Sequence, residues 1–474
     1  MENNRGQWGS TFGFIMAAVG SAVGLGNIWG FPYKCGANGG GAFVLVYLIL
    51  VISVGVTTML GELAIGRKTG RGAVGAYTSL SKKYTWIGYM GVASGFIIVG
   101  FYSVLGGIVL RYMLGFLMNL LGMSGFPAEG FFGAWIANMP GMLLFYAIFM
   151  IINIVIVMGG ISGGIEKFSK IAMPALFAML LIIIVYVACQ PGAAEGYKYM
   201  WIPDFNYLFS NFFTVLKVAA GQMFFSLSLG MGCMITYGSY LSKSENLVRN
   251  SLIIPFSDTT VALMSGMCIL PACAAYGMEY AGGPGLLFNT MQTVFTQGMG
   301  GTIGNIMGFM FYLLVLIAAI TSSISLLEVC TAYLIDKRIE KGKDPQRVKM
   351  TVIMAVIAFV VGLPTALDGL GTNVAGGAWM NNPAVMFNLP AMAATADWLD
   401  FYDFIAEGVL MPLGAMIMSI LIGWVFGTKK LIGEEVEVSA AKFTGAKFFD
   451  ICFKFVVPVI MAIVLVAQIT SFLG

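Results

Sequence analysis

The stretch from residue 10 to residue 36 is apolar enough to cross a bilayer, yet it contains the run Ser21-Ala22-Val23-Gly24-Leu25-Gly26-Asn27-Ile28-Trp29-Gly30-Phe31-Pro32. Lipid offers no hydrogen bonds. A helix that opens at that depth must therefore turn its freed amides and carbonyls toward a cavity, an ion or a solute. A second interruption, Gly221-Gln222-Met223-Phe224-Phe225-Ser226-Leu227-Ser228-Leu229-Gly230-Met231-Gly232, lies in another long apolar stretch near the middle of the chain. Either segment alone fits the ordinary use of glycine for close packing of membrane helices. Two broken helices at corresponding places in two halves point to a secondary transporter built as an inverted repeat.

Composition sets the class. Of 474 residues, 59% are apolar and 10% charged, and the mean hydropathy is +0.89, which excludes a water-soluble domain of this size. Windows of about 20 apolar residues predict eleven spans. They fall near 10–36, 41–68, 86–120, 142–159, 169–188, 213–240, 250–276, 303–335, 350–365, 401–426 and 450–473. The polar start, Met1 to Gln7, leads into the first span without a small-residue cleavage site, so no removed signal peptide is expected. With the N-terminus placed in the cytoplasm, 20 of the 25 basic residues fall on the inner side and only Lys34 and Lys198 in outer loops. That asymmetry predicts a multi-pass plasma-membrane protein, N-terminus in and C-terminus out. The net charge of +3 is then a topology marker and does not suggest a nucleic-acid partner.

The seven cysteines, at 35, 189, 233, 268, 273, 330 and 452, are scattered mainly through apolar spans without zinc or redox spacing and read as small core residues. Histidine is absent, which excludes an imidazole proton relay and argues against haem and zinc-hydrolase chemistry. Paired intramembrane catalytic carboxylates are not evident either, so an enzyme is not expected.

Several motifs together resemble the neurotransmitter:sodium symporter family, in its bacterial amino-acid transporter branch. They are Trp8, the Gly20 to Pro32 run, Asn38-Gly39-Gly40-Gly41-Ala42-Phe43, Gly61-Glu62 with Gly66-Arg67, Ile161-Ser162-Gly163-Gly164-Ile165-Glu166-Lys167, Gln222 to Ser228, and Thr321-Ser322-Ser323. The resemblance implies an all-α polytopic membrane protein of about 11 helices, with an inverted five-plus-five repeat and unwound first and sixth helices. Its units would be a cytoplasmic segment with inner-gate residues at 1–9, a first repeat at 10–188 and an extracellular connection at 189–212. A second repeat at 213–426, a cytoplasmic loop at 427–449 and an eleventh helix at 450–474 would follow.

The same resemblance implies two sodium sites. One would use the Ala22 carbonyl, the Asn27 side chain, Ser226, Asp258 and the carboxylate of the solute. The other would use the carbonyls of Gly20, Val23 and Ala318 and the hydroxyls of Thr321 and Ser322. Such oxygens suit a hard cation without the cost of burying full charges. Asp258 stands where several relatives carry Asn and recruit chloride. It reads as sodium ligand and built-in counter-charge, which predicts chloride-independent transport; a protonated Asp capping a buried helix is the alternative.

Gly24 replaces the aspartate of monoamine carriers, so the solute is expected to bring its own carboxylate. By resemblance that carboxylate meets the first sodium, the amides near Leu25 and Gly26 and the Tyr102 hydroxyl. The amino group meets carbonyls of Ala22, Phe225 and Ser226 and the Ser228 region. The side-chain pocket is formed by Ile98, Tyr102, Phe225, Ser228, Met231, Ser322, Ser325 and Leu326, which carry no charge. Glu62 and Gln222 are expected either to support the first ion site or to link helices structurally, and 290–301 to form an outer lid or an ordinary loop. Arg5 and Asp336, capped by Trp8, match the family's inner ion pair. Outside, Gly30 replaces the gating arginine, leaving Asp400 and Asp403 as the acidic side, with Tyr102, Phe225, Arg111 or Lys217 to complete closure. The expected function is a sodium-coupled symporter, with sodium in two sites, importing a neutral amino acid or cyclic imino or imine acid by alternating access. A sodium-dependent sensor, receptor or channel on the same scaffold is the alternative.

Overall fold

A computed structural model describes residues 6–126, 130–280, 285–372, 383–390, 395–438 and 443–473. Nine helices among them are long and apolar enough to cross a membrane: Gly41–Thr69, Lys82–Leu120, Met139–Met158, Ile161–Ala188, Leu247–Ala275, Gly301–Glu340, Arg347–Leu367, Trp398–Phe426 and Ala446–Phe472. Thr11–Ala22 and Gly26–Ala37 form a tenth span, bent by 53° at the break. Phe212–Ser226 and Cys233–Gly238, separated by residues 227–232, form the sixth in chain order. Eleven spans result, numbered one to eleven below. The third exceeds its sequence window at its start and the eighth at both ends, so both extend past the apolar layer.

Local chemistry fixes several span ends. Ser10, Asn138 and Asn246 accept hydrogen bonds from the N–H groups of Gly13, Gly141 and Arg249, capping the first, fourth and seventh spans. Gly70 ends the second span in the left-handed conformation, φ 61°, with its N–H returned to the Gly66 carbonyl. Beyond the ninth span, Asp368 accepts from the N–H groups of Leu370 and Trp398, tying the connection to the tenth, and burial pushes its carboxyl up to about 7.

Burial sorts the spans into layers. The most apolar window of the third span is 83% buried, that of the fourth, fifth and eleventh only 33%. Those outer helices turn Ile151, Val155, Ile171, Val185, Val459 and Val466 outward, each more than half exposed, as a lipid-facing surface requires. The third span instead packs along the eighth, and the two broken helices lie against this pair.

At the end of the bundle that carries the basic residues, Glu328 is fully buried. It accepts from Tyr240 Oη at 2.7 Å and pairs with Arg347, whose Nε also donates to the Val157 carbonyl at 3.1 Å. Removing one partner of a buried pair strands the other charge. Arg347→Ala is expected to lower stability by about 3–5 kcal/mol, read as an earlier thermal unfolding transition in detergent.

Candidate functional site

The first break begins where Val23 leaves helical geometry, at φ −71° and ψ 106°. Asn27 holds it open from within, because its Oδ1 accepts the Gly24 N–H at 3.0 Å. Its Nδ2 donates to Ser226 Oγ at 2.8 Å, Asp258 Oδ1 at 2.7 Å and the Asp258 carbonyl at 3.1 Å. Ser226 Oγ in turn donates to Asp258 Oδ2 at 2.8 Å. Both carboxyl oxygens of Asp258 are thus engaged in hydrogen bonds. The Asn27 amide hydrogens already point into this oxygen set, so the residues fit a small cation, and half a turn of that amide would add its oxygen to them.

A second oxygen set lies against the same helix. Ser322 Oγ donates to the carbonyls of Val23, at 3.0 Å, and Gly20, at 3.3 Å. Thr321 Oγ1 returns to the Ala318 carbonyl at 3.1 Å, and a Cβ at Gly20 would approach Thr321 Cβ to 3.0 Å. The five groups named for the second ion are thus neighbours.

Between the two sets lies a small chamber of about 20 Å³ lined by Ser21, Ala22, Gly24, Gly26, Ile98, Tyr102, Phe225, Ser226, Ser228, Met231, Ser322 and Leu326. No lining side chain is charged. Tyr102 Oη accepts the Leu25 N–H at 2.9 Å, and the Phe225 ring lies over Gly26, where a Cβ would come within 2.6 Å of it. Leu25 therefore contributes its amide, while its residue borders the vestibule outside the chamber. Ser325 stands one layer back: its Oγ receives Ser21 Oγ at 2.7 Å and donates to the Ser322 carbonyl. Ser21 was missed in the sequence reading, although it directly precedes Ala22 in the interrupted run. Ser228 carries φ 53°, a left-handed conformation unusual for a side-chain-bearing residue, and its Oγ donates to the Ser21 carbonyl at 2.8 Å. This bond joins the two breaks.

Glu62 and Gln222 both link helices, one of the two roles expected of them. Glu62 accepts the Gly230 N–H at 2.7 Å and so braces the opened sixth span, rather than the first ion set. Gln222 gives its Nε2 to the Gly26 carbonyl at 2.8 Å, bracing the first break itself. Each carbonyl or amide released by unwinding needs such a partner.

At the inner end, Arg5 lies outside the described residues. Asp336 accepts the Gly72 N–H at 2.8 Å, and Trp8 Nε1 donates to the Tyr237 carbonyl at 3.1 Å with its ring against Phe14, Tyr237 and Tyr240. At the outer end a vestibule of about 360 Å³ includes Tyr102, Phe225, Asp400, Asp403 and Glu407 in its lining. Glu407, four residues after Asp403 and so on the same helix face, had no role in the sequence reading. Arg111 is not part of this vestibule: its guanidinium stacks on Phe126, Phe131 and Trp135. Lys217 is also elsewhere, with Nζ on Ser471 Oγ at 3.1 Å. Helical turns run from Leu286 to Met299, covering most of the 290–301 segment expected as a lid.

The model of the "Sodium:neurotransmitter symporter family" matches residues 5–124 and 136–376. An uncharacterised sodium-dependent transporter of Bacillus subtilis, YhdH, is 34% identical over 97% of this chain and 96% of its own. The human sodium- and chloride-dependent GABA transporter 2 is 23% identical over 90% of this chain and 74% of its own. The crystal structure of MhsT in complex with L-phenylalanine superposes with a TM-score of 0.84 at 36% identity, covering 98% of this chain and all of the other. An all-helical bundle with two broken spans, a sodium-dependent relative matched nearly end to end and a family model spanning most of the sequence agree, and the chain belongs to the sodium:neurotransmitter symporter family.

Proposed function

We propose that this protein is a sodium-coupled symporter that imports a neutral amino acid with an apolar side chain across the plasma membrane, N-terminus inside. The observation that carries this reading is the uncharged chamber set between two oxygen clusters at the helix breaks. A solute carboxylate there meets the Leu25 amide and the Tyr102 hydroxyl, and a sodium ion beside Asn27, Ser226 and Asp258 completes its seat. A second ion at Gly20, Val23, Ala318, Thr321 and Ser322 fixes the first span to the eighth. MhsT, which carries L-phenylalanine in its structure, supports an amino-acid substrate. Cyclic imino acids fit the same charge pattern.

Each positive charge moved inward gains about 2.3 kcal/mol per 100 mV, so two ions drive steep accumulation. Asp258 supplies a fixed negative charge at the first site, which removes the need for a bound anion. In proteoliposomes with an inward sodium gradient, radiolabelled neutral amino acids are expected to accumulate above equilibrium. Potassium in place of sodium should abolish the accumulation, and gluconate in place of chloride should leave it unchanged. Sodium-dependent binding without accumulation would assign the chain to sensing instead of transport.

A further inference from the structure

The outer vestibule is lined by three acidic residues, Asp400, Asp403 and Glu407, and by one basic residue, Lys34. Asp403 and Glu407 stand four residues apart, on one helix face, and Lys34 lines the same vestibule. Among the described residues Lys34 makes no ion pair in this open vestibule. In the same lining, Gln222 has given its Nε2 to Gly26, and its buried Oε1 has no hydrogen-bond partner among the described residues. A Cβ at Gly30 would stand 3.2 Å from that oxygen. The bare backbone of residue 30 therefore borders an unsatisfied acceptor, in a vestibule that also holds three carboxyl groups.

Lys34 follows Gly30 by four residues on the uninterrupted helix Gly26–Ala37. Helical side chains lean toward the N-terminus and cover the preceding turn. The space left by the glycine is thus the direction open to the lysine stem, and an ammonium has three donors to offer there.

We propose that Lys34 is the cation of the outer gate. When the extracellular half closes over a bound solute, its ammonium enters the gap beside Gly30, pairs with Asp403 and Glu407, and donates to Gln222 Oε1. Closure expels water, which strengthens the pair and leaves the acids uncompensated if the lysine is missing. The inference rests on the alternating-access reading above.

The test uses Leu399→Cys as a vestibule reporter, with the exposed Cys189 changed to serine. Labelling by a membrane-impermeant maleimide is followed in proteoliposomes, with L-phenylalanine as the probe solute. With Lys34 intact, sodium plus L-phenylalanine is expected to slow labelling about tenfold. Absence of any slowing there would count against the transport reading itself, or against this solute. Given that slowing, Lys34→Ala and Lys34→Gln should lose it while retaining binding of radioactive sodium. Lys34→Arg should keep it, and Lys34→Ala combined with Gly30→Arg should regain it, a rescue that a merely structural lysine would not allow. Unchanged protection in Lys34→Gln, or lost protection in Lys34→Arg with sodium binding intact, overturns the proposal.

Discussion

Asp258→Ala is expected to abolish sodium-driven uptake and to weaken sodium binding by about 100-fold or more, the equivalent of roughly 3 kcal/mol. The reason is positional. Asp258 contributes both carboxyl oxygens and a carbonyl to the cluster around Asn27 and Ser226, at 2.7 to 3.1 Å, in a place fully closed to solvent. Alanine removes the only full negative charge in that set, and water is not at hand to replace it. Asp258→Asn keeps one carbonyl-type oxygen and loses the charge, so an intermediate fall of about tenfold is expected. Direct binding of radioactive sodium to purified protein separates the effect from defects in later transport steps. Wild-type sodium affinity in Asp258→Ala would exclude this carboxylate as an ion ligand.

Gly24→Ala is the second large effect, from a single methyl group. The added carbon would lie 2.6 Å from Ser322 Oγ and 2.7 Å from Tyr102 Oη, closer than any real contact of that kind. Neither oxygen is free to retreat, since Ser322 Oγ is held on the Gly20 and Val23 carbonyls and Tyr102 Oη on the Leu25 amide. Overpacking of this order costs about 1–3 kcal/mol, and here it falls on the second ion set and the carboxylate seat together. Uptake is expected to drop about 100-fold, with the thermal unfolding transition in detergent moved far less. Uptake above a tenth of wild type would mean that the chamber walls give way more readily than their hydrogen bonds indicate.

Much of this was legible in the sequence because membrane folding leaves few options. Apolar windows gave the spans, and the glycine and hydroxyl runs at 20–32 and 221–232 marked both breaks. Chamber residues such as Ile98, Met231 and Leu326 became recognisable only through family motifs, since singly each reads as ordinary core. Other features depend on neighbours remote in the chain. Glu62 finds the Gly230 amide 168 residues away, so its burial could be anticipated but not its partner. Lys34 counted only as an outer-loop cation in the charge asymmetry, and nothing local places it in one vestibule with Asp403 and Glu407. The proposed cations Arg111 and Lys217 had the right charge and the wrong location, a distinction that only packing makes.

Ser322 belongs to two sets at once, walling the proposed solute chamber while its hydroxyl bridges the Gly20 and Val23 carbonyls of the proposed second ion set. A lineage that reshapes its diet through this position would disturb its energy coupling in the same step. Ile98, Met231 and Leu326 carry no such double duty. Inherited changes of substrate preference should therefore accumulate at those three walls, leaving the serine as a fixed point around which specificity drifts.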